Sequence, residues 1–167
     1  MLMGKLHARI RRIKLLINCL KEDIYAKHVF KNVKSIGCEC KAYGKNIQLL
    51  RPDKLSIGNE FKINGNTVIN ARGGVIIGNG VTVSDGAKIL STGYDLEEWK
   101  KSNTREHKNE PVNIGDDVWI CASAVICPGV TISGSHVVVG AGAVVTRDIE
   151  EDNCIVAGIP AKIVSRF

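Results

Sequence analysis

Residues 111–149 read PVNIGDDVWICASAVICPGVTISGSHVVVGAGAVVTRDI. Within them Ile114, Ile120, Ile126 and Ile132 stand six apart, and Val139 and Val145 continue the row after one extra residue. Outward toward the N-terminus the same count returns at Ile57, Ile63 and Ile69, and again at Ile77, Val83 and Ile89. A short residue often sits four positions on, as at Thr67, Gly73, Ala87, Ala124, Val130 and Ala143. A helix needs apolar spacings of three and four, and a strand needs two. A fixed count of six means that every sixth side chain meets one repeated environment. That is the mark of a parallel β-helix, in which each coil buries its aliphatic row on the coil before.

The motifs along this stretch are Ile114-Gly115-Asp116, Val118-Trp119-Ile120, Pro128 to Ile132, Ala141 to Thr146 and a closing Gly158 to Ala161. In these residues the chain resembles the hexapeptide-repeat acyltransferases, which include maltose, galactoside and serine O-acetyltransferases. The resemblance implies an all-β solenoid, a left-handed parallel β-helix with three short strands per coil, assembled as a homotrimer. It also implies acetyl-CoA as co-substrate and transfer of its acetyl group to a hydroxyl.

Composition agrees with a thin solenoid. The chain has 167 residues, 44% hydrophobic but only 5% aromatic, with 17 glycines. That is enough for one domain with a core. No apolar run is long enough to span a membrane, and the N-terminus lacks the pattern of a signal peptide. The six cysteines (19, 38, 40, 121, 127 and 154) show no zinc spacing and read as reduced, small apolar residues of a cytoplasmic protein. No metal site is expected.

The net charge of +6 is concentrated in residues 1–31, where eight Lys/Arg face only Glu22 and Asp23. Leu6, Ile10, Ile13, Ile17, Leu20 and Ile24 form a helical stripe in this segment. Two readings follow: a basic helical cap over the open end of a solenoid at residues 32–167, or peripheral contact with an anionic membrane at its inner face. Nucleic acid is not expected, because the remaining chain is neutral and no aromatic residues interleave the basic ones.

The spacing blurs from Val33 to Pro52, which predicts an irregular first coil. Two extra residues fall near Arg72–Val75 and one near Ser133–His136, where a bulge would turn His136 outward. The period fails altogether from Thr92 to Glu110, giving a polar loop at about 92–111 with a helical turn around Leu96–Lys101. A long insertion in a compact repeat is usually functional. A hydroxyl needs a base to take its proton as it attacks a thioester, and imidazole has a suitable pKa. Of four histidines (7, 28, 107 and 136), only His107 lies in the loop. The resemblance would put the base early in the loop, but Tyr94 stands there, in Thr92-Gly93-Tyr94-Asp95. Either His107 supplies the base from the far end of the loop, or the enzyme is impaired. Tyr94 and Asp95 then read as acceptor contacts, with Asp95, Glu97 or Glu106 available to orient the imidazole.

For the donor, the resemblance carries over residue by residue. Trp119 would wall the pantetheine channel, Ala122 would set a backbone amide against CoA, and Ala141 would line the channel. Thr146 and Arg147 match a pair near the nucleotide end, and Lys162 a cation that meets the CoA phosphates. The alternative for both alanines is tight packing between coils or subunits. The acceptor expected is a small or lipid-linked saccharide, with a surface-polysaccharide precursor favoured by the basic helix. Two rivals are a serine O-acetyltransferase and a catalytically impaired β-helix scaffold or binding protein. A γ-class carbonic anhydrase is disfavoured, since three zinc histidines are missing.

Overall fold

A strand of two or three residues can turn only one or two side chains inward. Such strands, each followed by a corner, make up most of this chain. The computed structural model describes the backbone of residues 2–167 and the side chains of residue 7 and of residues 10–167. Helix α1 (Leu2–Val29) is followed by a first coil of β1 (Ser35–Ile36), β2 (Lys41–Ala42) and β3 (Gln48–Leu50). The second coil is β4 (Leu55–Ile57), β5 (Lys62–Ile63) and β6 (Val68–Asn70), and the third is β7 (Val75–Ile77), β8 (Thr82–Val83) and β9 (Lys88–Leu90). The loop then forms β10 (Thr92–Tyr94), α2 (Leu96–Ser102) and β11 (His107–Asn109). Coils resume with β12 (Val112–Ile114), β13 (Trp119–Ile120) and β14 (Val125–Ile126), then β15 (Thr131–Ile132), β16 (Val137–Val139) and β17 (Val144–Val145). A parallel bridge between Ile132 and Ile149 opens a further turn, closed by β18 (Cys154–Ala157) and β19 (Lys162–Arg166).

The strands stack into three parallel faces. The first runs β1-β4-β7-β12-β15, the second β2-β5-β8-β13-β16-β18 with β19 added antiparallel, and the third β3-β6-β9-β14-β17. Register keeps the sixth-residue rows together: Ile57 lies over Ile77 and Ile77 over Ile114, and Ile69 over Ile89 and Ile89 over Ile126. Ile63, Ile69, Ile89, Ile120, Ile126 and Ile132 are fully buried. The two buried polar residues of the described core are paired. Thr67 Oγ1 donates to the Gly65 carbonyl, while Ser91 Oγ donates to the Asn70 carbonyl and accepts from the Gly73 amide. Burying them therefore leaves no polar group unsatisfied.

The first coil is more regular than its spacing predicts. Ser35, Lys41 and Gln48 pair in register with Ser56, Lys62 and Val68. The inward rows use Ala42 and Leu49 there, and one additional residue sits at a corner, which hides the count without breaking the ladder. Two corner features also escaped the count. At the corner between the first and second faces, Asn59 donates its amide and Nδ2 to Asn79 Oδ1, and Asn79 donates its amide to Asp116 Oδ1 at 2.6 Å. Left-handed residues line the same edge: Glu60, Gly80, Asp117 and His136. The bulge near His136 thus reaches a left-handed corner and leaves Val137 fully buried.

Helix α1 meets the coils through its last turns. Ala26 and Phe30 are buried, and the Phe30 ring meets Phe61 edge-on at 6.0 Å. The Ile10, Ile13, Ile17, Leu20 and Ile24 stripe does not carry this contact and is exposed. The side chain of Leu6 lies outside the described residues. Among the described residues no helix is long and apolar enough to cross a membrane.

Candidate active site

The insertion leaves the corner between the third and first faces as a hairpin. Strands β10 and β11 pair antiparallel, with Thr92 opposite Asn109, Gly93 opposite Lys108 and Tyr94 opposite His107. The turn between them is taken up by α2. Asp95 caps that helix, its Oδ1 accepting the amides of Glu97 and Glu98 at 3.0 Å each. Asn103, left-handed, closes it, its backbone N–H donating to the Trp99 carbonyl. Arg105 lies over the Trp99 ring at 5.1 Å. The far end of the loop is thereby folded back onto its start. The rings of Tyr94 and His107 stack with centroids 4.8 Å apart and planes 21° apart. His107 thus comes alongside Tyr94, the residue that stands where the resemblance would put the base.

Asp95 is spent on the cap. The amides of Glu98 and Glu97 hold its carboxyl below the usual carboxylate range, against a smaller desolvation effect. Glu97 pairs with Lys100 at 2.8 Å, and Glu106 meets the Asp95 amide through its backbone carbonyl. Of the three carboxylates expected to orient His107, two are engaged elsewhere, and no ion pair to His107 occurs among the described residues. Tyr94 is the ring partner instead.

The residues expected to meet the donor divide between two corners. Ala122 and Ala141 are exposed at the corner between the second and third faces, in successive coils, joined by the Gly142 amide donating to the Ala122 carbonyl at 2.9 Å. Trp119, on β13 next to this corner, is half-exposed and donates Nε1–H to Ser84 Oγ at 2.9 Å. Lys162 pairs with Ala157 at the end of the same column, held there by the Ala161 amide bonding the Val144 carbonyl at 2.8 Å. A strip of small side chains therefore runs from an indole at one end to a cation at the other. Thr146 and Arg147 follow β17 and lie at the other corner, in the column from which the hairpin springs. The third face separates the two sets, so a single chain does not bring His107 to Ala122, Ala141 and Lys162. His136 belongs to the remaining corner, 3.9 Å from Asp117, and joins neither set.

Burial pushes the thiols of Cys40, Cys121, Cys127 and Cys154 up, which keeps them protonated and poor nucleophiles. All six cysteines are free thiols. Among the described residues no three His, Cys, Asp or Glu side chains are grouped to hold a metal.

Known proteins share this architecture. No protein-family model matches the chain. It is 36% identical over 123 residues to galactoside O-acetyltransferase of Escherichia coli, covering 74% of this chain and 55% of that protein. It is 28% identical over 142 residues to WbbJ of Escherichia coli, named for O-acetyl transfer in lipopolysaccharide biosynthesis, covering 79% of this chain and 67% of that one. The chain spans only about half the length of the first relatives it matches. In structure it resembles a hexapeptide-repeat-containing acetyltransferase of Vibrio cholerae, with a TM-score of 0.77 and 27% identity over 98% of this chain and 91% of that one. The same Vibrio protein complexed with acetyl coenzyme A gives a TM-score of 0.74 over 83% of this chain and 73% of that one. In its six-residue rows, its three-faced coils and these likenesses, the chain has the architecture of the hexapeptide-repeat acetyltransferases and is similar to them in sequence.

Proposed function

We propose that this protein transfers the acetyl group of acetyl-CoA to a saccharide hydroxyl, with His107 as general base. The observation that supports the reading is the pairing of Tyr94 with His107, which sets the imidazole beside the phenol near the start of the loop. His107 takes the hydroxyl proton as the oxygen attacks the thioester carbonyl. The tetrahedral intermediate collapses, the carbon–sulfur bond breaks, and the imidazolium returns the proton to the departing CoA sulfur. The products are the O-acetyl ester and free CoA, and the histidine is regenerated. Tyr94 is the stacking platform that fixes the ring.

Donor binding falls to the corner of Trp119, Ala122 and Ala141, where small side chains leave room for a slender pantetheine arm. Lys162 meets a phosphate through a charge-assisted hydrogen bond. Thr146 and Arg147 take a second role at the other corner, against the nucleotide end of a CoA held by a neighbouring copy. Separation of the hairpin from the alanine corner supports a homotrimer in which one copy's His107 faces another copy's donor strip. Likeness to WbbJ supports a surface-polysaccharide precursor, small or lipid-linked, as acceptor. Six free thiols support a cytoplasmic setting.

The test is incubation with acetyl-labelled acetyl-CoA and a panel of sugars, nucleotide sugars and lipid-linked saccharides. The expected result is label on a saccharide hydroxyl and stoichiometric CoA release. Failure to bind or consume acetyl-CoA with every acceptor would favour a scaffold instead.

A further inference from the structure

We propose that α1 docks this protein on the surface of a bilayer containing anionic lipids. The stripe of Ile10, Ile13, Ile17, Leu20 and Ile24 is between 43% and 62% exposed, with no part of its own chain covering it. Single exposed aliphatic residues are ordinary, but five on one helical face form a continuous patch. The end of α1 docks on the coils through Ala26 and, just past the helix, Phe30; Ala26 lies roughly 160° round the helix from the stripe at 3.6 residues per turn. The solenoid meets only the C-terminal end of α1, so residues 10–24 are exposed on every side, the stripe with Leu15 and Leu16 among them.

Charge selects the occupant. Lys14 and Lys21 border the stripe on one flank and Lys27 on the other. Both acidic residues of the segment fall off this face: Glu22 lies roughly 160° and Asp23 roughly 100° from the stripe. The whole surplus of +6 sits in residues 1–31, while the rest of the chain is neutral. An apolar stripe with lysines on its borders lies flat at a headgroup boundary, with isoleucine and leucine in the acyl region and the ammonium groups reaching anionic phosphates. Two copies laid stripe to stripe would instead crowd the Lys14 and Lys21 flanks against like charge. The solenoid, attached at the C-terminal end of α1, would hang beside the membrane with its hairpin free. This inference concerns the helix alone and stands or falls independently of acetyl transfer.

Co-sedimentation of the full chain with vesicles tests it. Phosphatidylcholine vesicles containing about a third phosphatidylglycerol should carry the protein down at low salt, and pure phosphatidylcholine vesicles should not. Raising salt should release it, since the attraction is screened within a Debye length. Ile17→Glu with Leu20→Glu should abolish binding, and Lys14→Glu with Lys21→Glu should weaken it more than tenfold. All four positions are exposed, so circular dichroism and melting should match the parent. The proposal is overturned if anionic vesicles fail to bind the parent protein, or if the Ile17/Leu20 variant binds equally well. It is also overturned if that variant reduces the assembly to a smaller species in sedimentation velocity, because the stripe then belongs to a second copy.

Discussion

Two alanines near the same corner should respond oppositely to enlargement. Ala141 is exposed on the strip next to Ala122, whereas Ala124 is fully buried between Ile120 and Ile126 of the same coil. Replacing Ala124 with leucine forces three heavy atoms into a filled interior and should cost about 1–3 kcal/mol. Replacing Ala141 with leucine adds them to the surface, where substitutions usually stay within about 0.5 kcal/mol. If the pantetheine arm lies along the strip, the Ala141 side chain occupies its path. A hundredfold loss of acetyl-CoA affinity, about 2.7 kcal/mol, would then accompany nearly unchanged stability. Urea unfolding and titration calorimetry separate the two quantities. The reasoning fails if Ala141→Leu leaves acetyl-CoA affinity untouched, or if it destabilises the fold as much as Ala124→Leu does.

Other expectations follow from close contacts and charge. A Cβ at Gly58 would meet the Gly78 carbonyl oxygen at 2.6 Å and its carbon at 2.7 Å, both backbone atoms of the next coil. Gly58→Ala should therefore destabilise by roughly 1–3 kcal/mol in urea titrations, whereas unchanged stability would mean that the coils are not stacked this closely. Lys162→Glu should weaken acetyl-CoA binding about ten- to a hundredfold, the worth of one charge-assisted contact of roughly 1.5–3 kcal/mol; equal affinity would remove Lys162 from the phosphates. Mixing His107→Ala protein with Ala141→Leu protein after joint refolding should restore part of the activity that each lacks alone. No recovery in a mixed assembly would argue that donor and base act within one chain.

The repeat was legible because stacking puts every sixth residue in one environment, and Ile57, Ile77 and Ile114 show that environment directly. The first coil was not, because Ala42 fills an inward slot with a residue that carries little hydrophobic signal. The corner ladder of Asn59, Asn79 and Asp116 was hidden for a different reason. Polar corner residues read as ordinary turn formers, and their bonds join positions roughly twenty or more apart in sequence. His107 stood out as the one histidine of the loop, but its ring contact with Tyr94 did not. Pairing of Tyr94 with His107 depends on a capped helix that shortens the path between them. The signal was present in Asp95 and Asn103, a cap and a left-handed stop on either side of Leu96–Ser102. The stripe on α1 was legible as helix but not as exposed, since periodicity fixes which residues share a face and says nothing of what covers it.

Turnover of saccharide acetylation in the parent, His107→Ala and Tyr94→Phe proteins, with acetyl-CoA affinity measured alongside, tests the central claim most directly. A general base contributes about 10²- to 10⁴-fold, so His107→Ala should lose that much turnover while binding acetyl-CoA normally. Tyr94→Phe keeps the stacking ring and should retain most activity. Full turnover in His107→Ala, or its abolition by Tyr94→Phe alone, would contradict the assignment.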